Sequence, residues 1–176
     1  MKRIVAIAFL GCAFLISAAA GAQTKDKSKR PSPPAKVSQT INTGATISID
    51  YSQPSLKGRT IGKDVEPMRG QVWRMGANEA TVFETDKDVL IEGQKLPAGK
   101  YSMWGLWGDD GYTLIFNKTW DVWGTTYEQN KGTDVLKVVV RTGQADKPTE
   151  KLTYTIDKAG LVTLWWGNMT IAFNVQ

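Results

Sequence analysis

The chain is dominated by short segments in which apolar and polar residues alternate, separated by turn signals. The alternation covers residues 37–41 and 45–51 around Asn42-Thr43-Gly44, which is typical of a β-hairpin. Similar segments recur about every 8–12 residues, and no window shows an apolar helical face with caps at both ends. The sequence therefore predicts an all-β class: a single-domain antiparallel β-sandwich, jelly-roll-like, over residues 37–176.

The later strands are predicted from the same alternation. They cover residues 81–85, 89–92, 101–107, 112–116, 134–142, 152–156, 161–166 and 169–175. Gly167-Asn168 suits a two-residue turn, so the last two strands are predicted to form a hairpin. Residues 60–71 lack periodicity and predict a long connection, a kind of segment that is often functional.

The N-terminus has the features of an export signal. Met1-Lys2-Arg3 is basic, an apolar run follows, and Ala20-Gly21-Ala22 matches an A-x-A cleavage pattern. The run is too short for a membrane span, and Cys12 lies in its middle, which argues against a lipoprotein anchor. We expect a signal peptide over residues 1–22, cleaved after Ala22, and a periplasmic or secreted mature protein with no membrane span.

Residues 23–36 contain almost nothing to bury. The segment is rich in proline, lysine and arginine, which favours an extended, solvated tether. It is predicted to be a disordered basic linker whose removal leaves folding intact.

The residue types that are missing exclude several kinds of chemistry. The chain has no histidine, and its one cysteine, Cys12, lies in the predicted signal peptide. Ser-His-Asp and Cys-His catalysis, histidine-ligated zinc and thiolate metal sites are therefore excluded. Asp109-Asp110 fits no calcium loop, so no metal or cofactor is predicted. Loss of Lys2 and Arg3 lowers the net charge from +5 to +3, which does not indicate nucleic-acid binding.

The segment from Val72 to Thr81 departs from the strand-and-turn pattern around it. It places Trp73, Arg74, Asn78 and Glu79 about the small residues Gly76-Ala77. One interpretation is a polar pocket in which Arg74 binds an anionic or hydroxyl-rich ligand. The alternative is a buried Arg74–Glu79 ion pair that fixes an irregular loop. Stability of single and double variants at these two positions would separate the alternatives.

Several segments together resemble one family. They are Pro33-Pro34-Ala35, Asp50 to Pro54, Lys57-Gly58-Arg59, Val72 to Thr81, Leu96 to Ser102 and Trp123-Gly124. In that order they resemble the domain-of-unknown-function 2911 family, secreted or periplasmic proteins found mainly in Bacteroidetes-type bacteria. The resemblance implies an extracytoplasmic all-β domain of unassigned activity, and it implies no catalytic residues.

Tryptophans and carboxylates provide two further candidate groups. Trp104, Trp107, Trp120 and Trp123 are predicted mostly for the core, although exposed indoles would suit stacking on sugar rings. Glu79 with Asp50 or Asp121 would suit a carboxylate-based hydrolase, a minority hypothesis.

The sequence thus predicts an extracytoplasmic protein that binds a small polar or anionic ligand or a glycan. Its alternatives are an envelope protein-interaction domain and a carboxylate-based hydrolase; catalysis is not indicated. The candidate ligand-binding residues are Arg59, Trp73, Arg74, Asn78, Glu79, Tyr51 and Trp123.

Overall fold

A computed structural model describes residues 26–109 and 111–176. The predicted signal peptide, its cleavage site and residues 23–25 lie outside the described residues. No helix in the described part of the chain is long and apolar enough to cross a membrane.

The described residues form ten strands and very little helix. The strands are β1 (Pro34–Thr40), β2 (Thr46–Ser52), β3 (Val72–Trp73), β4 (Thr81–Thr85), β5 (Val89–Ile91), β6 (Gln94–Leu96), β7 (Gly99–Trp107), β8 (Tyr112–Asn117), β9 (Asp134–Ile156) and β10 (Leu161–Asn174). One α-helix, α1 (Tyr127–Asn130), and two 3-10 turns, at Lys27–Lys29 and Lys131–Thr133, complete the elements.

One large antiparallel sheet contains eight of these strands. Its order is β1-β2-β4-β7-β8-β9-β10, with the short β3 also paired to β7. β5 and β6 make a separate two-stranded sheet, which joins the end of the chain through a bridge between Ile91 and Val175. The predicted all-β, antiparallel class is confirmed, and the predicted first hairpin is β1 with β2.

The large sheet curls so that its inner face encloses the main core. Phe173 on β10 contacts Phe83 on β4 and Phe116 on β8, with ring centroids 6.5 and 6.3 Å apart. Tyr51 on β2 and Tyr154 on β9 meet edge to face at 4.8 Å. Because these strands are not neighbours in the sheet, such contacts require the curl. Burial of this apolar face stabilises the fold in the absence of disulfides.

A smaller cluster lies on the outer face of the same sheet. Trp104 and Ile115 point outward from β7 and β8 and are covered by Tyr127 of α1, whose ring centroid lies 5.2 Å from that of Trp104. Val122 packs against the same cluster, so the 118–130 connection covers this part of the sheet.

The last two strands differ from the prediction. The sequence predicts four strands between residues 134 and 175, whereas the structure has two long ones, β9 and β10. The predicted turn at Gly167-Asn168 is wrong: these residues lie inside β10, where the pairing register to β9 shifts on either side of Gly167. Glycine is common both in turns and at irregularities within strands, so the sequence alone does not distinguish the two.

The structure also differs from the predicted linker. β1 begins at Pro34, inside residues 23–36, and pairs with β2 from Pro34↔Ser52 onward. Before it, Lys27–Lys29 form a 3-10 turn and the Gln53 amide donates to the Pro33 carbonyl at 2.8 Å. Proline and lysine composition alone predicts a tether because it contains no information about acceptors elsewhere in the chain.

Candidate functional site

The Val72–Thr81 segment is a loop whose two ends both pair with β7. On β7, Gly105 pairs with Trp73 and Met103 pairs with Thr81. Gly105 and Met103 are two residues apart on β7, whereas their partners are eight residues apart in the chain. Residues 74–80 leave the sheet and return, and the Thr81 amide donates to the Arg74 carbonyl at 3.3 Å to close the loop.

The loop holds its backbone in an uncommon conformation. Met75 and Asn78 have φ angles of 54° and 58°, a region that residues with side chains seldom occupy. The Met75 side chain is fully buried, and its carbonyl accepts hydrogen bonds from Thr81 Oγ1 at 3.1 Å and Tyr154 Oη at 2.8 Å. These core contacts fix the conformation, so the loop is rigid where it enters and leaves the sheet.

Two polar side chains of the loop bind the N-terminal segment. Arg30 Nη1 lies 2.9 Å from both carboxylate oxygens of Glu79, and Lys27 Nζ lies 3.1 Å from Oε1. Asn78 Nδ2 donates to the Ser32 carbonyl at 2.9 Å. The predicted candidates Asn78 and Glu79 are therefore occupied by residues that precede β1.

These contacts control the protonation of Glu79. Burial is the largest single effect and raises the pKa of the carboxyl, but it is outweighed by the combined hydrogen bonds from Arg30, the Glu79 backbone amide and Lys27, together with the charge of Lys27. The pKa falls from its usual 4.5 to about 2. Glu79 is thus an anion over the whole neutral range and cannot supply a proton to a reaction there.

Arg74 does not pair with Glu79, so the ion-pair alternative is wrong. Among the described residues, the salt bridges of Glu79 are to Lys27 and Arg30. Arg74 is instead half-buried against Gly124, where an added Cβ would lie only 1.8 Å from Arg74 Cδ. Its Nε is buried and has no hydrogen-bond partner among the described residues. Burial lowers the pKa of the guanidinium, and the charge of Glu66 partly opposes that effect.

The aromatic candidates separate into core and surface. Trp73 is 2% exposed, and its Nε1 donates to the Gly76 carbonyl at 3.0 Å within the loop. Tyr51 is buried, and its hydroxyl accepts from the Tyr154 amide at 3.4 Å. Trp123 is 49% exposed and pairs through its backbone with Glu79. Of these three candidates, Trp123 offers an open face to a ligand.

The carboxylates of the hydrolase hypothesis line one shallow groove. Asp50, Glu79 and Asp121 border a depression of about 190 Å³ together with Lys27 and Trp120. Asp50 is paired with Lys36 at 2.9 Å, and Glu79 is held anionic. An acid–base pair needs one group that carries a proton near neutral pH, and Glu79 does not fill that role.

A larger cavity opens at one end of the curled sheet. Its volume is about 640 Å³. Its walls come from the connection after β2, the ends of β7 and β8, and the facing parts of β9 and β10. The lining residues are Leu56, Arg59, Thr60, Ile61, Trp107, Tyr112, Thr142, Gly143, Gln144, Pro148, Gly167, Asn168 and Met169. Of the seven candidate ligand-binding residues, Arg59 is the one in this set, and Trp107 of the tryptophan group also lines it; Arg74 does not.

Arg59 is held at this cavity by its own loop. Its Nε donates to the Leu56 carbonyl at 2.9 Å and its Nη2 to the Ser55 carbonyl at 2.7 Å, while the side chain stays exposed. The sequence gives a signal for this site in the irregular 60–71 connection. It gives none for Thr142 or Met169, because their places on long, curled strands depend on the fold.

A protein-family model matches almost the whole described part of the chain. The family model described as "Protein of unknown function (DUF2911)" matches residues 32–175. The chain belongs to the DUF2911 family. No curated protein and no solved structure matches it.

The DUF2911 match covers both the Arg74 loop and the end cavity. It begins at residue 32, so the Ser32 carbonyl that binds Asn78 lies inside the matched range. Lys27 and Arg30, which pair with Glu79, precede it. In this DUF2911 chain, the two cations that pair with the Glu79 carboxylate therefore lie outside the matched range.

Proposed function

We propose that this DUF2911 protein is an exported binding protein that holds a small ligand in the end cavity. The ligand has an apolar body and one anionic or hydrogen-bond-accepting group. The observation that carries the proposal is the cavity of about 640 Å³, in which Arg59 is the single charged residue among the described lining residues.

The size and lining of the cavity suit a small organic molecule. Ligand pockets typically measure about 300–1,000 Å³ and combine apolar walls with a few fixed polar groups. Leu56, Ile61, Trp107 and Met169 supply apolar surface at this site. Gly62 lies in the connection after β2, and an added Cβ there would be 3.6 Å from the Trp107 ring, so this connection packs on the aromatic wall.

Arg59 favours a ligand with an acceptor group. Two of its nitrogens are engaged by backbone carbonyls, which orients the guanidinium without neutralising its charge. A positioned guanidinium loses little side-chain entropy when it binds a carboxylate or a phosphate. When the anionic or hydroxyl-bearing end of the ligand binds Arg59, the apolar body of the ligand packs against Trp107 and Met169.

Export remains part of the proposal. It rests on the basic Met1-Lys2-Arg3, the apolar run after it and Ala20-Gly21-Ala22. Mass spectrometry of the protein recovered from the producing cells tests it: a mature N-terminus at Gln23 is expected, and an acylated Cys12 would contradict it.

The binding proposal is tested with anilinonaphthalene sulfonate, a fluorescent probe with an apolar body and one sulfonate. We expect saturable binding with one site per chain. Thr142→Trp fills the cavity and should weaken binding at least about tenfold, a loss of about 1.4 kcal/mol. Arg59→Gln should weaken it less, because the apolar contacts remain.

Two variants outside the cavity are matched controls. Arg141→Trp places the same indole on the neighbouring residue of β9, whose side chain points to the other face of the strand. Arg69→Gln removes an exposed arginine that is paired with Asp109. Both should bind the probe as the parent protein does. Equal binding by Thr142→Trp and Arg141→Trp would exclude the cavity as the site.

A further inference from the structure

Arg74 is a half-buried cation for which no described residue supplies an acceptor. Its Nε is buried without a hydrogen-bond partner, and no described residue accepts a hydrogen bond from its guanidinium or forms a salt bridge with it. Three other described arginines have acceptors: Arg30 binds Glu79, Arg59 binds backbone carbonyls, and Arg69 binds Asp109. Arg141 forms no such contact with a described residue, but it is exposed to water, whereas Arg74 is half-buried.

The position of Arg74 is built rather than incidental. Gly124 is buried, and an added Cβ there would lie 1.8 Å from Arg74 Cδ and 2.8 Å from Nε. The Gly124 amide donates to the Asn78 carbonyl at 3.0 Å, which joins the 122–126 segment to the Arg74 loop. The arginine stem therefore lies flat on a backbone surface that only glycine provides, and both sides of this contact are fixed.

The charges around Arg74 leave it positive. Glu79, five residues along the same loop, is neutralised by Lys27 and Arg30. Glu66 acts on Arg74 through its field and forms no salt bridge with it. Removing the Nε–H of a guanidinium from water without giving it an acceptor is unfavourable. A ligand that accepts from the guanidinium would recover this cost.

We propose that Arg74 is the anchor of a second binding site, for an oxyanion group such as a carboxylate, phosphate or sulfate. The planar fork of arginine donates two parallel hydrogen bonds to such groups. Trp123 is 49% exposed and directly precedes Gly124, against which Arg74 packs, so the proposed site includes its indole as an apolar face for the ligand. An acidic sugar combines both features, an anionic group with a ring face that stacks on indole.

This site is separate from the end cavity. Arg74 is not among the described residues that line that cavity, and the side-chain hydrogen bonds of Arg59 are to Leu56 and Ser55 in its own loop. The two sites can therefore be tested independently.

The direct test follows the Arg74 Nε–H signal by NMR in the unmodified protein. Sodium sulfate, sodium glucuronate and glucose are titrated at constant ionic strength, with sodium chloride as the balancing salt. Sulfate and glucuronate should shift the Arg74 signal saturably, with Kd of about 1 mM or tighter. The Arg141 signal, from an exposed arginine on β9, should not follow the same curve. No saturable shift of the Arg74 signal with either anion would overturn the proposal.

Variants distinguish a forked contact from a general charge effect. Arg74→Lys keeps the charge and loses the fork, so affinity for glucuronate should fall at least about tenfold. Arg141→Lys is the matched control and should bind as the parent does. Should Arg74→Lys fail to fold, the NMR titration of the unmodified protein still decides. Equal affinity in the two lysine variants would overturn the forked contact.

The ligand arms identify what is recognised. Binding of glucuronate more tightly than sulfate, with quenching of Trp123 fluorescence that is lost in Trp123→Phe, supports an acidic sugar. Equal binding of sulfate and glucuronate without quenching supports an oxyanion alone and removes Trp123 from the site. Binding of glucose as tightly as glucuronate would overturn the role of Arg74. Thr142→Trp, which fills the end cavity, should leave all of these titrations unchanged.

Discussion

Arg30 Nη1 contacts both carboxylate oxygens of Glu79 at 2.9 Å, across 49 residues of sequence. The contact fastens the segment before β1 to the loop that connects β3 to β4. Lys27 adds a second cation at 3.1 Å, and Asn78 fastens the Ser32 carbonyl beside it. The charged residues of the N-terminal segment are thus part of the folded domain.

This contact predicts an energetic coupling between Arg30 and Glu79. Both side chains are about a third exposed, so screening limits the interaction, and we expect a coupling energy of about 0.5–1.5 kcal/mol. Urea unfolding of Arg30→Gln, Glu79→Gln and the double variant measures it. The same cycle with Arg74→Met and Glu79→Gln should give coupling below about 0.5 kcal/mol. Strong coupling in the second cycle and none in the first would restore the Arg74–Glu79 pair.

Deletion of residues 23–33 should destabilise the domain. Composition predicts no effect, but the structure gives this segment the contacts to Glu79, to Asn78 and to the Gln53 amide. We expect a loss of about 1–3 kcal/mol in the free energy of unfolding. Deletion of residues 23–25 alone is the control and tests whether the loss belongs to the contacts. An unchanged melting temperature after the longer deletion would show that these contacts do not stabilise the domain.

The pKa of Glu79 predicts how stability depends on pH. Its pKa is about 2 in the folded protein against 4.5 normally. Because the folded value is the lower one, the contribution is complete above about pH 4.5 and is lost as pH falls toward about 2. After discounting for screening of this partly exposed group, the contribution is about 1–2 kcal/mol. The difference in unfolding free energy between the parent and Glu79→Gln should shrink over that range.

The cause of this pH dependence can be tested in a second background. In Arg30→Met the carboxyl loses its main hydrogen-bond donor, so its folded pKa should move back toward the usual value. Adding Glu79→Gln to Arg30→Met should then change the unfolding free energy less at neutral pH than it does in the parent, and the change should vary less with pH. An equally steep pH dependence in both backgrounds would contradict Arg30 as the cause of the shift.

Gly124→Ala should be strongly destabilising. An added Cβ meets Arg74 Cδ at 1.8 Å and the Asn78 carbonyl oxygen at 2.6 Å, and the second of these is backbone that cannot swing away. We expect a cost of about 1–3 kcal/mol, typical of overpacking at a fixed site. Gly132→Ala is the control, since an added Cβ there meets nothing within 4 Å, and it should be near neutral. Thermal unfolding measures the stability of both variants. An equal loss of stability in the two would contradict a specific role for Gly124.

The fold class could be predicted from the sequence because strand alternation is local information. The first hairpin, β4, β7 and β8 all follow from it, and each pairs antiparallel to a neighbour. The end of the chain is harder, because Gly167 permits either a turn or an irregularity within a strand. The register of a 23-residue strand such as β9 depends on two different partners, β8 and β10, which local pattern does not reveal.

The candidate site was predictable only in part for the same reason. The unusual density of polar residues in Val72–Thr81 does mark a structurally special loop. Which partner each residue meets depends on contacts across the fold: Glu79 meets Arg30, and Arg74 meets Gly124. Trp73 and Tyr51 lie on the covered face of their strands, so they are buried and do not reach a surface ligand. Arg59 lies at a cavity whose other walls come from four distant segments.

Two buried tyrosines make a matched pair for the last prediction. Tyr154 Oη donates to the Met75 carbonyl at 2.8 Å, the contact that holds the left-handed residue of the loop. Tyr112 Oη is buried against Gly105, where an added Cβ would lie 2.1 Å away, and it has no hydrogen-bond partner among the described residues. Removal of the Tyr154 hydroxyl leaves the Met75 carbonyl with the longer hydrogen bond from Thr81 Oγ1 alone. Removal of an unsatisfied hydroxyl instead relieves a desolvation cost.

Tyr154→Phe should therefore cost about 1–2 kcal/mol of unfolding free energy, and Tyr112→Phe should be neutral or slightly stabilising. Both variants delete one oxygen from a ring of the same core, so lost packing is similar and the difference reports the hydrogen bond. Urea unfolding at neutral pH measures it, and Met75 amide exchange should quicken in Tyr154→Phe alone, because the loop loses one of the two side-chain hydrogen bonds to the Met75 carbonyl. A large loss in Tyr112→Phe would mean that its hydroxyl has a partner, such as a bound water or a ligand that reaches the inner wall of the end cavity.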